Sequence, residues 1–363
     1  MPPNLATDFL ARPRTVALRV AIDPVPSVLN SLLLLNMTEK YSGLGDWVGR
    51  TAVRLSPELM HRNRLVLEGL FFALQPDRRW PSFPAYLDAM AQIEPAILRD
   101  RLLHEIARPR IPSNPDGAEL VPPGYLLAKL ENYIGFLREY FCDFDEAIET
   151  EAHALLNDPP AMRDLIVTHL RELWQGGLSA EWERSQPLLH ETVAAFQHID
   201  LARKSPAEAI RIVTGHDPKE KWDSMLANAR EVIFVPSAHI GPYLHKWGDD
   251  ASIWLVFGAR LPDGAAAGAS ALSRSDLLVR LSALTDDTRL RILALLSQHD
   301  ELCAQDIMTL LDLTQSATSR HLRQLSATGY ITERRREIAK CYTLNRERVG
   351  DTFRSLERFL ERT

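Results

Sequence analysis

Thr314, Gln315, Ser316, Thr318, Ser319, Arg320, His321 and Arg323 bring amide, hydroxyl, imidazole and guanidinium groups into less than three turns of chain. They suit reading: such groups match base edges in a major groove and oxygens on phosphates. Farther on come Arg334, Arg335 and Arg336, then Lys340, a cationic run able to clamp a phosphate backbone. A polar helix face alone is what an ordinary surface helix shows, and a charge run is usually just solvated. In this order and spacing the two together point to nucleic acid.

The flanking sequence supplies elements to position these groups. Thr314 is placed to N-cap a helix from Gln315 to Thr328, with Leu322 and Leu325 as its inner contacts. Asp286 or Asp287 caps an earlier helix whose apolar side is Leu290, Ile292, Leu293, Leu295 and Leu296. Leu302 to Leu311 forms a second helix burying Ile307, Leu310 and Leu311, and Leu313 to Gln315 makes the turn. After Gly329, the β-prone runs Tyr330–Thr332 and Cys341–Thr343 flank the basic segment. Helix, helix, turn, helix and two strands is the order of a winged helix-turn-helix.

The runs Asp287-Thr288-Arg289-Leu290-Arg291-Ile292-Leu293, Glu301-Leu302-Cys303 and Thr314-Gln315-Ser316-Ala317-Thr318-Ser319-Arg320-His321-Leu322 resemble the ArsR/SmtB family of winged-helix repressors. The resemblance covers about a quarter of the chain. It implies that Gln315, Ser316, Ser319, Arg320 and His321 lie at or near double-stranded DNA, and that the protein binds imperfect inverted repeats as a homodimer. It also implies that the two flanking helices pair across the dimer. One is Ser275–Leu284, with Leu277, Leu278 and Leu281; the other is about Arg346–Glu361, with Phe353, Leu356 and Leu360. Packing on the chain's own N-terminal region is the alternative for these faces.

Two departures bear on inducers. The family's thiol site needs two cysteines spaced C-x-C, whereas Cys303 is followed by Ala304 and Gln305. One soft thiolate does not make a strong arsenic or zinc site. The final helix, which carries the family's other metal site, has no histidine. No inducer metal is expected, and no dinucleotide or Walker fingerprint calls for a cofactor. The wing also has Glu337-Ile338-Ala339 where a tip glycine is usual. The three cysteines, Cys142, Cys303 and Cys341, are odd in number and far apart. That pattern fits buried thiols in a reducing cytoplasm, not a disulfide framework.

A second cluster is Ser237, His239, Tyr243, His245 and Lys246. It reads as the rim of a ligand pocket, an interdomain contact or a plain structural loop. Catalysis is disfavoured because no nucleophile elbow, paired carboxylate or metal spacing accompanies it. Val232–Ser237 and Ser252–Phe257 bracket this loop as strands and resemble a hairpin of a small sheet, joined by a strand within Arg14–Asp23.

At 363 residues, 45% hydrophobic and 25% charged, the chain can build more than one folded core. No apolar run reaches the roughly 20 residues needed to cross a bilayer, so no membrane partner is expected. The net charge of −6 excludes a general nucleic-acid coat, yet Thr314 to Arg348 holds 8 basic and 3 acidic residues. Positive charge is therefore concentrated on the proposed helix and wing. The expected fold is mainly α: a helical N-terminal domain (1–262) with a small β-sheet, a linker (263–272) rich in Gly and Ala, and the winged helix (273–363). Within the first, Pro24 and Pro26 are expected to end a strand, and Tyr125–Leu156 shows a long helical pattern. The functional expectation is a one-component repressor whose N-terminal domain senses an unknown small-molecule or protein effector. The alternatives are an enzyme or binding protein with a DNA-targeting tail, and an N-terminal part that only enlarges the dimer.

Overall fold

The computed structural model describes residues 16–41, 43–109, 114, 118–141, 143–216, 226, 229–249, 251–260, 274–336 and 339–361; for 274–276, 335, 336, 358 and 361 it describes only the backbone. The expected linker, the wing tip at Glu337–Ile338 and Cys142 lie outside the described residues.

The N-terminal body begins with β1 (Ala17–Val20) and α1 (Pro24–Leu35). Pro24 and Pro26 fall in the first turn of α1, where a missing N–H leaves no bond unmade. Asp23 caps this helix and also accepts from Trp254 Nε1 at 2.8 Å, tying the helix start to the sheet. There follow α2 (Asp46–Arg54), α3 (Pro57–Arg64), α4 (Phe83–Gln92) and α5 (Pro95–Ala107). The pattern from Tyr125 to Leu156 is three helices, α6 (Pro123–Ala128), α7 (Leu130–Tyr140) and α8 (Glu146–Leu156). Lys129 and Phe141 are extended and break it, and Asp145 caps the new start at α8. Next come α9 (Pro159–Leu173), α10 (Ser179–Phe196) and α11 (Pro206–Thr214).

β2 (Glu231–Ser237), β3 (Leu244–Gly248) and β4 (Ser252–Gly258) complete a four-stranded sheet in the order β1-β2-β4-β3. β1 joins it as expected, but β2 and β4 are not a hairpin. They run parallel, Glu231 opposite Ser252 through Ser237 opposite Gly258, and the antiparallel hairpin is β3–β4. The reason is burial on both faces. Ile233, Val235, Trp254 and Val256 face the large core of α1–α9, while Val232, Phe234, Ile253, Leu255 and Phe257 face α11 and the end of α10. Continuous apolar runs of this kind suit central parallel strands, and the segment expected as loop supplies the antiparallel edge.

The C-terminal region has its own core, which includes Ile292, Leu296, Ile307, Leu322, Leu325 and Tyr330. Its elements are α12 (Arg274–Leu284), α13 (Asp287–Gln298), β5 (Leu302–Cys303), α14 (Ala304–Leu311), α15 (Gln315–Ala327), β6 (Ile331–Arg336), β7 (Ala339–Leu344) and α16 (Arg346–Glu361). The small sheet has the order β5-β7-β6. Gly329 has φ +79, the left-handed turn that ends α15 and starts the wing. The molecule is thus mainly helical with small sheets and carries a winged helix-turn-helix at its C-terminal end.

Candidate nucleic-acid interface

α15 starts as the sequence predicts: the Thr314 hydroxyl accepts from the Ala317 amide at 3.3 Å, a cap worth about 1 kcal/mol. Its two faces then separate at helical spacing. Thr318, His321, Leu322 and Leu325 lie at i, i+3, i+4 and i+7 and are buried. Burying the two leucines stabilises by roughly 1.5–3 kcal/mol each. The opposite stripe is Ser316, Ser319, Arg320 and Arg323, with Gln315 beside it; Gln315, Ser316, Ser319 and Arg320 are exposed and Arg323 is half-buried.

Thr318, expected on the outward side, and His321, placed at or near DNA by the resemblance, are both buried. Thr318 is 1% exposed and His321 5%. His321 Nδ1 lies 3.6 Å from Asp286 Oδ1. Burial pushes the imidazole below its usual range, against the pull of Asp286. Asp286 also caps α13 at Arg289, whose side chain donates to the carbonyls of Ala283 and Ser282 at 2.6 and 2.9 Å. These bonds lock α12 to α13 beneath α15. The i, i+3, i+4, i+7 pattern was present in the sequence and could have assigned both residues to the inner face.

In the wing, Arg334 pairs with Cys341, Arg335 with Lys340 and Arg336 with Ala339 across the β6–β7 ladder. Arg334 and Lys340 are exposed, and Lys340 Nζ lies 3.4 Å from Glu333; the Arg335 and Arg336 side chains are outside the described residues. β5 adds Cys303 directly opposite Cys341. The two are joined by a disulfide across 38 residues. This corrects the expectation of separate buried thiols. Strand pairing, invisible in linear spacing, brings the sulfurs together, and a sulfur committed to a disulfide is no thiolate ligand.

Residues 286–333 match the model of the bacterial regulatory protein, arsR family. The C-terminal module is an ArsR-type helix-turn-helix. Among relatives, the arsenic resistance transcriptional regulator ArsR1 of Pseudomonas putida is 39% identical over 64 residues, 18% of this chain and 50% of its own. The arsenical resistance operon repressor of Escherichia coli K12 is 46% identical over 52 residues, 14% of this chain and 44% of its own. A Staphylococcus aureus cadmium resistance regulatory protein CadC homolog is 34% identical over 74 residues, 20% of this chain and 61% of its own. The chain therefore spans about half the length of the curated relatives it matches. A solved ArsR family transcriptional regulator covers 25% of this chain and 93% of its own at 20% identity and a TM-score of 0.23.

The ArsR-type module packs against the N-terminal body through α15. Arg323 Nη1 donates to the Lys40 carbonyl at 2.8 Å, and its guanidinium lies 5.1 Å from the centre of the Tyr41 ring. Tyr41 in turn stacks on Tyr243 at 4.3 Å. Ala327 packs on the body's core, and Arg348 Nη2 reaches the Gly215 carbonyl at 3.4 Å. Between body and module lies a cleft of about 860 Å³, lined by Tyr41, Tyr243 and Leu244 on one side and Gln315, Ser319 and Leu322 on the other.

The second predicted cluster does not share one cavity. Tyr243 lines the cleft, and Ser237 lines a smaller cavity of about 160 Å³. His245 packs against Phe71 and Trp247, and burial drives its pKa down to about 4. His239 is buried between two residues that sequence reasoning missed. Its Nδ1 is 2.7 Å from Ser31 Oγ and its Nε2 2.8 Å from Glu181 Oε1. Trp47 stacks on its ring. Serine, histidine and carboxylate make a nucleophilic set by composition. Here Ser31 donates back to the Ser27 carbonyl within α1 at 2.8 Å, and neither Ser31 nor Glu181 lines either cavity. The arrangement clamps α1, α10 and the loop after β2. Glu181 also takes a forked pair of bonds from Arg184.

The helices α12 and α16 pack on each other. Leu277 turns inward at 4% exposure, Leu281 and Leu356 are half-buried, and Leu278, Phe353 and Leu360 are exposed. Tyr330 fastens the pair by donating to the Arg280 carbonyl and contacting Thr352 Oγ1, both at 3.1 Å. Among the described residues no helix is long and apolar enough to cross a membrane.

Proposed function

We propose that this protein is a DNA-binding transcription regulator, a one-component repressor rather than an enzyme. The observation that carries the reading is the outward stripe Ser316, Ser319, Arg320 and Arg323, set beside the Arg334 and Lys340 wing within an ArsR-type module. Gln315, Ser316 and Ser319 read base edges in the major groove. Arg320, Arg323, Arg334, Arg335, Arg336 and Lys340 hold phosphates, and Thr314 sets the helix start. Thr318 and His321 support the helix from within.

The protein acts as a twofold dimer on an inverted-repeat operator. Leu278, Phe353 and Leu360 form the exposed apolar face for a second copy, with Leu281 and Leu356 at its margin and Leu277 supporting it from inside. The region 1–262 modulates DNA affinity in response to an effector, and Tyr243 meets the cleft where such a signal reaches the module. The relatives' names link them to arsenic and cadmium resistance. That inducer chemistry is not carried over, because the Cys303 sulfur is bonded to Cys341.

The test is selection of bound duplexes from random DNA by the full-length protein. The expected result is an inverted repeat with half-sites about one helical turn apart, with enrichment reduced in Gln315→Ala and binding to all duplexes weakened in Arg320→Ala. A protein that enriches no sequence, and whose weak binding is indifferent to Arg320→Ala, overturns the reading.

A further inference from the structure

We infer that the N-terminal body masks the reading face of α15, so that this conformation is a self-inhibited state of the regulator; the inference rests on the DNA-binding reading above. The stripe that must enter a groove is Ser316, Ser319, Arg320 and Arg323. Its last member is already committed: the Arg323 guanidinium donates to the Lys40 carbonyl at 2.8 Å and lies over Tyr41 at 5.1 Å. One of its five N–H donors is spent on that carbonyl, and the rigid fork ties the direction of the others to that bond.

The corner that holds it is itself braced. Tyr41 is stacked on Tyr243 at 4.3 Å, and Lys40 pairs with Asp143 at 3.0 Å. Gly43, at φ +79, passes so close to α15 that a Cβ there would sit 2.9 Å from Gln324 Nε2. One turn along the same face, Ala327 packs on the body's core. The space left in front of Gln315 and Ser319 is about 860 Å³. A duplex whose groove takes in Ser319, Arg320 and Arg323 has to occupy the place of the Tyr41 and Tyr243 corner, which already holds Arg323. DNA and the body compete for one surface. Binding DNA then requires the module to leave the body, and apparent affinity is lowered by the fraction of molecules that are closed.

The experiment compares the full-length parent with Tyr41→Leu and Tyr243→Leu on the selected operator and on random duplex. Each variant is first checked for an unchanged far-ultraviolet spectrum and a cooperative melt. Both keep an apolar side chain but lose the ring under Arg323. Opening the clasp is expected to raise apparent affinity about tenfold for both DNAs, with the gain lost on adding Arg320→Ala. Equal or weaker binding by folded variants, with the parent still selecting its operator, overturns the mask and leaves the regulator reading standing. No DNA binding by parent or variants overturns both. Should either variant fail to fold, hydrogen exchange on the parent decides. Added operator is expected to speed exchange of the amides at 38–41 while slowing those at 316–323; slowing in both segments overturns the mask.

Discussion

Cys303, at the N-cap of α14, faces Cys341 of the second wing strand as its register partner, and the two are joined by a disulfide. The bond ties the first helix of the helix-turn-helix to the wing across 38 residues. Closing a loop of that length stabilises by about 3–4 kcal/mol, chiefly by restricting the unfolded chain. Cys303→Ser is therefore expected to lower the melting temperature of the winged helix, and dithiothreitol to lower the parent's but not the variant's. Equal melting of the parent with and without reductant would show that the link contributes nothing.

The wing and the helix should separate in their effects on DNA. Arg334→Ala and Lys340→Ala each remove one exposed cation. Affinity is expected to fall for all duplexes alike, and the salt slope to flatten by about 1 for each phosphate that is no longer neutralised. Gln315→Ala should instead narrow the gap between operator and random DNA, by roughly 1–3 kcal/mol. Titrations at three salt concentrations on both DNAs distinguish the two patterns; a Gln315 variant that weakens both DNAs equally removes it from the reading set.

Thr318 offers a sharper test of which face of α15 is used. Its hydroxyl is buried and has no hydrogen-bond partner among the described residues. Thr318→Val removes an unsatisfied polar atom while keeping shape and nearly the same helix propensity. Stability is expected to be unchanged or higher by up to about 1 kcal/mol, with operator affinity intact. A tenfold loss of affinity in a stable variant would return Thr318 to the interface.

Glu181 makes acid stability predictable. Burial opposes its charge, but bonds from His239 and Arg184 outweigh burial and hold the carboxyl at about 2, against an ordinary 4.5. Because the folded value is the lower one, this stabilisation is fully present above pH 4.5 and is lost as pH falls towards 2. It is on the order of 3 kcal/mol. Glu181→Gln is expected to be less stable than the parent by that amount at pH 7, with the difference shrinking below pH 4.5. A constant difference from pH 7 to 3, read by urea unfolding, would mean that the carboxylate charge is not what the clamp uses.

Much of the C-terminal module was legible in the sequence because its determinants are local. The cap at Thr314, the apolar stripe ending in Leu322 and Leu325, the left-handed Gly329 and the final helix at Arg346–Glu361 each follow from residues a few positions apart. Turn chemistry and helical period act over such distances, so spacing encodes them. The inward turn of Thr318 and His321 was equally local and simply needed the period carried one step farther.

The tertiary structure alone decided what joins distant segments. Arg323 meets Lys40 across 283 positions, and Ser31 meets His239 across 208. Cys303 finds Cys341 through strand pairing, and the parallel run of β2 beside β4 depends on helices that bury both faces of the sheet. No periodicity names such partners, because they are chosen by how whole elements pack. The sequence by itself determined a Thr314-capped polar helix and a basic wing; only packing decided that the helix meets the protein's own N-terminal body.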